Sequence, residues 1–304
     1  MGKEGLSNSH DRFFKQSFSR KEIVQSFLEQ YLPADLTKRF DYTTLEILKD
    51  SFVDRELSEH FSDILYRIKV SGSTAFVYLL FEHKSYPDRW YSFQMLRNRV
   101  KIWEMYLKQN AKARKLPVIV PVVIYHGAGK WKMKNSIRPL FEEIPGAEKY
   151  IPDSRCEIYD ISHMPDDRIK GEILLQVQLL LLKYVFKAEL TEKLPEILRL
   201  FGTLLRKQKA TEYLEVVLRY LVSSVDSAKT EELKTQVENA IENGGSVMPT
   251  IAEKWIREGV EKGMIEAAER MIRKDLTNAD IRDITGLSIR KIEEIRKNLG
   301  KTPS

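Results

Sequence analysis

The sequence contains a single cysteine, Cys156, among its 304 residues. One cysteine can form neither an internal disulfide nor a zinc site built from several thiolates. This excludes disulfide-stapled domains and multi-cysteine zinc modules as fold classes. It is typical of a protein of the reducing cytoplasm, and we expect a cytoplasmic localisation.

Long hydrophobic runs are also missing. The longest ones, residues 116–125 and 173–186, are too short or too polar to span a lipid bilayer. The first ten residues (MGKEGLSNSH) lack the apolar core of a signal peptide. The sequence therefore predicts no membrane partner and no signal peptide.

Positive charge is present in slight excess. Lys and Arg number 50 against 44 Asp and Glu, which gives a net charge of +6 at pH 7. A hydrophobic content of 42% and a charged content of 31% are ordinary for a globular protein. The length suffices for one large core, or for one core and a smaller module. The positive excess suits an anionic partner such as nucleic acid, although many basic proteins bind none.

Residues 62–84 (SDILYRIKVSGSTAFVYLLFEHK) predict two β-strands joined by a tight turn. Gly72-Ser73 fits the central positions of a type II′ turn, in which glycine comes first. With that turn, the strand register places Asp63 directly opposite Glu82. The other face of the hairpin would be an apolar core face made of Ile64, Tyr66, Ile68, Val70, Ala75, Val77, Leu79 and Phe81.

Two carboxylates directly opposite each other repel and destabilise a sheet. The pairing of Asp63 with Glu82 becomes favourable if a divalent cation lies between them. Mg²⁺ commonly takes one or two carboxylates, with water and phosphate oxygens at its other positions, and Mn²⁺ or Ca²⁺ could replace it. Lys84 shares the face of Glu82 and could hold a phosphate or orient the attacking water. The alternative is an exposed sheet face with an ordinary ion pair of Glu82 with Lys84 or Arg67.

The remaining elements predict an α/β fold. A Phe-rich helical pattern covers residues 10–32, an extended segment residues 41–53 and an amphipathic helix residues 89–113. Residues 115–127 (KLPVIVPVVIYHG) form a near-continuous apolar run, which is typical of a strand buried on both faces of a mixed sheet. We also expect disorder over residues 1–9, a turn or short helix over 54–60 and over 137–141, a strand over 156–161, and helices over 169–187, 190–207, 211–225 and 230–242.

Other polar residues are candidates for the site, each with a simpler alternative. Gln94 lies near the start of helix 89–113, where its side chain can point back at the strand ends, and Arg97 follows one turn later. Each could contact water or phosphate, or belong to a solvated helix face. Glu46 is either a further ligand or a surface acid. His126 is either a general base or a loop histidine with a local hydrogen bond. The apolar positions of the helix include Trp90, Phe93, Leu96, Val100, Trp103, Met105, Tyr106 and Leu107.

Residues 243–246 (NGGS) are the clearest break in the chain. Beyond it, residues 251–274 predict a charged helix in which two glycines four positions apart could allow contact between subunits of a homo-oligomer. Residues 277–298 predict a helix-turn-helix, with Ser288 capping the second helix. A DNA-reading module and a small dimerisation module both fit this pattern. The basic residues of the second helix are Arg290, Lys291, Arg296 and Lys297, and Glu293 and Glu294 interrupt them.

Five ordered blocks resemble the Rpn recombination-promoting nucleases, which are also described as YhgA-like putative transposases and assigned to the PD-(D/E)XK superfamily. The blocks are residues 10–15 (HDRFFK), 51–54 (SFVD), 62–67 (SDILYR), 81–85 (FEHKS) and 121–127 (PVVIYHG). The resemblance covers the first half of the chain well. It implies a restriction-endonuclease-like core, metal-dependent DNA endonuclease activity and a link to RecA-independent recombination.

By motif position, the resemblance makes Asp63 and Glu82 metal ligands, Lys84 the third catalytic group and Gln94 an auxiliary residue. Ser62 departs from the superfamily pattern, in which proline often precedes the aspartate. This departure affects the local backbone rather than the ligand chemistry. The residues expected to hold the DNA backbone are Arg67, Lys69, Arg89 and Arg97.

We therefore expect three parts in the chain. A PD-(D/E)XK nuclease core of mixed sheet and flanking helices would cover residues 1–165, a helical region packed on it residues 166–243, and a C-terminal helix-turn-helix-like module residues 244–304. The expected function is Mg²⁺-dependent hydrolysis of DNA phosphodiester bonds. The alternatives are a non-catalytic DNA-binding or assembly protein, and a transposase, which needs strand transfer as well as cleavage.

Overall fold

The computed structural model describes residues 3–48, 64–82, 88–185, 187–205, 210–224, 230–240 and 263–300. Contacts divide the chain into two compact units, Met1–Ile241 and Glu242–Ser304. No helix within these described ranges is long and apolar enough to cross a membrane.

The helices of the first unit are α1 (Lys3–Phe18), α2 (Lys21–Tyr31), α3 (Ala34–Thr37), α4 (Tyr91–Gln109), α5 (Ile173–Tyr184), α6 (Leu190–Leu205), α7 (Ala210–Ser224) and α8 (Thr230–Ala240). The pattern predicted as one helix over residues 10–32 thus forms two. The backbone N–H and the hydroxyl of Ser19 both bond to the carbonyl of Lys15, which ends α1. The prediction of disorder over residues 1–9 is wrong from Lys3 onward, because α1 begins there.

The described residues of the first unit include a five-stranded mixed sheet. Its strands are β1 (Phe40–Leu48), β2 (Ile64–Val70), β3 (Ser73–Glu82), β4 (Val118–Tyr125) and β5 (Glu157–Asp160), and they lie side by side in chain order. β1, β2 and β3 are antiparallel, whereas β4 is parallel to β3 and β5 to β4. Parallel neighbours need a crossover connection, and α4 supplies the one between β3 and β4. The prediction that β4 is an interior strand of a mixed sheet is confirmed.

The β2–β3 hairpin turns one residue earlier than predicted. Val70 pairs with Ser73, so Ser71 and Gly72 are the central turn residues. Both have positive φ, 48° and 81°. Two positive values are typical of a type I′ turn, whose twist matches that of the flanking strands. The predicted type II′ turn at Gly72-Ser73 is therefore wrong.

The earlier turn displaces the strand register by two positions. Ile64 pairs with Leu79, whereas the predicted register would pair it with Phe81. The prediction that Asp63 lies opposite Glu82 depended on that register. The pair itself falls beyond the described ladder, because Asp63 lies outside the described residues. A displacement of two leaves every side chain on its predicted face, since the faces of a strand alternate with period two.

One face of the sheet packs against α1 and α2, and we call it the α1 face. Phe14 of α1 stacks on Phe81 of β3 with ring centroids 4.3 Å apart, and the Tyr66 hydroxyl donates to the carbonyl of Phe18. This is the predicted core face, and it is buried except at Val70, which is half-buried. Its buried members on the hairpin are Ile64, Tyr66, Ile68, Ala75, Val77, Leu79 and Phe81.

The opposite face, which we call the α4 face, is apolar as well. This second core was not predicted from the hairpin sequence. Asn98 of α4 anchors the helix to β3 by donating to the Tyr78 hydroxyl at 2.7 Å. The apolar core does not extend over the part of this face formed by β1 and β2 at which Arg67 and Lys69 are exposed. The buried core between this face and α4 comprises Leu65, Phe76, Tyr78, Leu80, Tyr91, Met95, Ile102, Ile119, Val123 and Cys156.

The described part of the second unit consists of α9 (residues 263–273), α10 (Asn278–Thr285) and α11 (Ile289–Asn298). Ser288 caps α11 by accepting from the N–H of Lys291, as predicted. Gly286, at a φ of 70°, ends α10. Arg296, counted above among the basic residues of the second helix, is buried and donates to Asn278 Oδ1 at 2.7 Å. The core of this unit comprises Ala268, Ile272, Ile281, Ile292 and Ile295.

Candidate active site

Of the four predicted catalytic residues, Glu82 and Gln94 fall within the described part of the chain. Asp63 and Lys84 lie outside the described residues. Glu82 is the last residue of β3 and pairs with Tyr125 of β4, but only its backbone is described. Gln94 is described in full. The structure therefore fixes the position of Glu82 in the sheet and the surroundings of Gln94.

Gln94 is held by the segment that precedes α4. Its Nε2 donates to Asp88 Oδ2 at 3.4 Å, and Asp88 Oδ1 accepts from the N–H of Trp90 at 2.8 Å. The carbonyl of Asp88 accepts from the N–H of Tyr91 at 3.1 Å. Asp88 thus fixes the start of the helix and gives the half-buried Gln94 a partner. The sequence analysis missed Asp88, whose signal is an aspartate just before a helix.

Aromatic contacts place the first turn of α4 beside the ends of β3 and β4. The Tyr91 ring lies edge-on to Trp131, with centroids 4.7 Å apart, and Trp131 lies edge-on to Tyr125 at 5.1 Å. Tyr125 is the ladder partner of Glu82. The first turn of α4 and the backbone of Glu82 therefore both lie near the carboxyl edge of the parallel strands.

A second acidic group at this edge was missed by the sequence analysis. Asp160 ends β5 and pairs with Tyr125, so Glu82, Tyr125 and Asp160 end three neighbouring strands in one row. The Asp160 carboxylate lies 2.9 and 3.0 Å from His163 Nδ1 and accepts from the N–H of Trp131 at 2.9 Å. Its signal in the sequence is an acid at the end of a strand parallel to its neighbour, where sites commonly form.

A shallow cavity of about 540 Å³ opens beside the Asp160–His163 pair. Lys130 and Arg168 contribute positive groups to its wall and Glu157 a negative one. Polar side chains of both signs, one histidine among them, line this end of the sheet. The carboxyl edge thus brings together groups able to bind or move protons.

Glu46 is a surface acid. It pairs across the β1–β2 ladder with Arg67 and forms an ion pair with it. The two side chains are 46% and 53% exposed. Among the described side chains, Arg67 pairs with Glu46, whereas the side chain of Glu82, the partner considered above, lies outside the described ones.

His126 is a core residue of the α1 face. It is buried, and its ring lies 5.5 Å from that of His10 and 6.2 Å from that of Phe81. A general base must reach the proton that it removes. Its burial beneath α1 therefore argues against the general-base alternative.

The thiol of the single cysteine, Cys156, is expected to be unreactive. Burial raises the pKa of the Cys156 thiol to about 11, against the lowering effect of a hydrogen bond with Tyr91. The thiol therefore stays protonated at neutral pH, and a protonated thiol is a poor nucleophile and metal ligand. Among the described residues, no three His, Cys, Asp or Glu side chains come together as ligands for a metal ion.

The chain resembles known proteins over most of its length. A family model described as "Putative transposase, YhgA-like" matches residues 8–212, which include every strand of the sheet. Recombination-promoting nucleases RpnA and RpnC of Escherichia coli K12 are each 26% identical, over 290 and 295 residues. These alignments cover 95% and 94% of this chain and 97% and 96% of the relatives.

A third relative from the same organism is named an inactive recombination-promoting nuclease-like protein, RpnE. It is 24% identical over 289 residues, which cover 93% of this chain and 95% of its own. No solved structure matches the chain. The relatives of this chain thus include two proteins named nucleases and one named inactive, and each aligns with the chain over nearly its whole length.

Proposed function

Because the chain belongs to the YhgA-like putative transposase family, we propose that it is a divalent-metal-dependent DNA endonuclease that promotes recombination. The observation that carries the proposal is the almost end-to-end similarity to two proteins named recombination-promoting nucleases. We further propose that the mixed sheet with helices on both faces is a PD-(D/E)XK nuclease core. DNA is then the partner, and Mg²⁺ or a similar ion is the cofactor.

The proposed metal ligands are Asp63 and Glu82. Their carboxylate oxygens are the ligands that Mg²⁺ and Mn²⁺ prefer, so the donor set fits a hard divalent cation. The place of Glu82 at the carboxyl edge, beside the first turn of α4, supports this assignment. When bound, the ion would lower the pKa of a coordinated water and offset negative charge on the scissile phosphate.

The other residues of the chain would position DNA and water. The Lys84 ammonium would hold a phosphate oxygen or orient the water that attacks phosphorus as the P–O bond to the leaving group breaks. The Gln94 amide, held by Asp88, would orient the same water. Lys69, Arg89 and Arg97 are exposed and would contact the phosphate backbone. Such contacts give DNA binding that weakens with salt and has little specificity for the base sequence.

The proposal is tested by plasmid nicking. Purified wild-type protein should convert supercoiled to nicked plasmid with Mg²⁺ and lose this activity in EDTA. Asp63→Ala and Lys84→Ala should each lose at least roughly a hundredfold in rate, because each removes a group that acts on the transition state. Asp153→Asn, which removes an exposed carboxylate elsewhere, is the matched control and should nick normally. Equal nicking by all variants, with and without EDTA, would rule out this site.

A second candidate is a non-catalytic DNA-binding or assembly protein on the same scaffold. The similarity to a relative named inactive, over 93% of this chain, favours it as the alternative. It predicts DNA retention without metal dependence, and loss of that retention when residues 246–304 are deleted. A transposase would differ from both by joining the cleaved end to a second DNA molecule, which a strand-transfer assay with labelled ends detects.

A further inference from the structure

Two large aromatic side chains face solvent at the N-terminal end of α4. Trp90 and Phe93 are 51% and 52% exposed, although the amphipathic pattern counted both among the apolar positions of the helix. The packing of the sheet does not use them, because the buried side of the helix carries Tyr91 and Met95. Clustered exposed aromatic side chains commonly mark a binding surface.

Arginine side chains flank these rings. The Arg89 guanidinium lies 5.5 Å from the centroid of the Trp90 ring. Arg97 is exposed and follows Phe93 by four positions, so the two are neighbours on the helix surface. In the sequence, residues 89–103 contain four basic residues and no acidic one. Rings interleaved with guanidinium groups complement a ligand that is anionic and has flat faces, which describes nucleic acid.

The position of this surface connects it to the proposed cleavage site. Gln94 lies one turn from both Trp90 and Arg97 on the helix. Tyr91 reaches the ladder partner of Glu82 through the ring of Trp131. A DNA strand lying on the outer side of the first turns of α4 would therefore run towards the carboxyl edge of β3.

Stacking on aromatic side chains distinguishes unpaired bases from bases inside a DNA duplex. Inside a duplex both faces of each base are covered by its neighbours, so a protein ring can stack only on a base that is unpaired, frayed or at an end. We infer that the aromatic–basic face of α4, formed by Arg89, Trp90, Phe93 and Arg97, stacks on unpaired bases, and that the substrate is DNA with a single-stranded or frayed segment. This inference rests on the proposed function, because it takes DNA as the partner.

Binding of labelled oligonucleotides to the full-length protein tests the inference. Fluorescence anisotropy in EDTA would compare a single strand, a blunt duplex and a duplex with a mismatched end, all of equal length. Trp90→Ala and Phe93→Ala should each weaken binding of the single strand and the frayed duplex by roughly tenfold, since base–aromatic stacking is of this strength. Binding of the blunt duplex should change by less than about twofold, because its bases offer few free faces.

Tyr150→Ala is the matched control. Tyr150 is 76% exposed and carries the Lys149 ammonium 5.0 Å from its ring centroid, so it reproduces an exposed ring with a cation far along the chain from α4. Its removal should leave all three affinities unchanged. As a second readout, 2-aminopurine in the unpaired segment should be quenched on binding wild-type protein and not on binding Trp90→Ala. Circular dichroism would verify that each variant is folded.

The inference is overturned if wild-type protein binds the three DNAs equally, or if Tyr150→Ala loses as much affinity as Trp90→Ala. It is also overturned if sedimentation shows that Trp90→Ala separates two copies of the chain while DNA binding is unchanged. Metal-dependent nicking without any preference for unpaired bases would refute this inference alone. Absence of binding to every DNA would refute the proposed function as well.

Discussion

On the α1 face of the sheet, Phe14 stacks on Phe81, and the Tyr66 hydroxyl reaches the backbone of α1. On the α4 face, an apolar core lies under the helix, and polar groups flank this core on two sides. Glu46 and Arg67 pair in solvent towards β1, and Asp160 lies at the carboxyl edge. One face therefore holds the fold together, while the other combines packing with groups available for chemistry.

This comparison makes distinct predictions for substitutions on the two faces. Substitutions on the α1 face should lower the stability of the protein. Substitutions at the carboxyl edge and on the outer side of α4 should instead weaken DNA binding or cleavage. The expected effects on stability decrease from the aromatic core to the surface ion pair.

The largest loss of stability is expected for Phe14→Ala. This side chain is fully buried and stacked on Phe81, so its truncation leaves a cavity and should cost about 3–5 kcal/mol in the free energy of unfolding. Urea denaturation followed by circular dichroism measures the loss. Phe93→Ala, which truncates an exposed ring of the same type, is the control and should change stability by less than about 0.5 kcal/mol. Similar losses in the two variants would contradict the division between the faces.

A smaller loss is expected for Asn98→Ala on the α4 face. The variant removes the hydrogen bond from the Asn98 amide to the buried Tyr78 hydroxyl, which should cost about 0.5–1.5 kcal/mol in the free energy of unfolding. Tyr78→Phe should cost less in the Asn98→Ala background than in wild-type protein, because the hydrogen bond between the two side chains is then already lost. Denaturation of both single variants and the double variant measures this coupling. Strict additivity would show that the hydrogen bond does not anchor α4.

Asp166 should give the first unit a stability that depends on pH. Partial burial alone would raise the pKa of this carboxyl, but hydrogen bonds from Lys183, Tyr184 and Lys193 outweigh it and lower the pKa to about 2. A carboxyl with a lowered folded-state pKa stabilises the protein above its unfolded pKa of about 3.9 and loses that contribution as the pH falls towards 2.

The melting temperature of wild-type protein should therefore exceed that of Asp166→Asn at pH 7, and the difference should shrink between pH 4 and pH about 2. Asp153→Asn, whose carboxylate is exposed, is the control and should show a much smaller difference at every pH. A difference for Asp166→Asn that stays constant over this range would contradict the assignment.

The smallest effect is expected for the Glu46–Arg67 pair. Both side chains are about half exposed, so their coupling in a double-mutant cycle should be below about 1 kcal/mol. Because salt screens exposed charges, the coupling should fall further in about 1 M NaCl. A large coupling that salt leaves unchanged would mean that this corner of the α4 face is more enclosed than its exposure indicates.

Local rules predicted the parts of the fold that depend on alternation and capping. The period of two placed Tyr66 and Phe81 on one face, and the apolar run of β4 predicted an interior strand. Ser288 was recognised as a cap from its place before a helical pattern. These features depend on neighbours in sequence, so the sequence shows them.

Features that depend on long-range contacts or on an unusual backbone angle were not predicted correctly. The register changed because Ser71, an L-residue, takes a positive φ that the turn analysis did not assign to it. Asp160 meets Trp131 only once β4 and β5 are paired, and Trp90 is exposed only because α4 turns Tyr91 to the sheet. The chemistry proposed for Asp63, Glu82 and Lys84 stays a prediction from motif and family.

The measurement that tests the central claim most directly is Mn²⁺ binding, followed by electron paramagnetic resonance, in wild-type protein, Asp63→Asn, Glu82→Gln and Asp153→Asn. The account predicts that wild-type and Asp153→Asn proteins bind the ion alike, and that each of the other two loses at least about tenfold in affinity, because each removes one charged ligand. Unchanged Mn²⁺ affinity in both Asp63→Asn and Glu82→Gln would contradict a metal site formed by these two carboxylates.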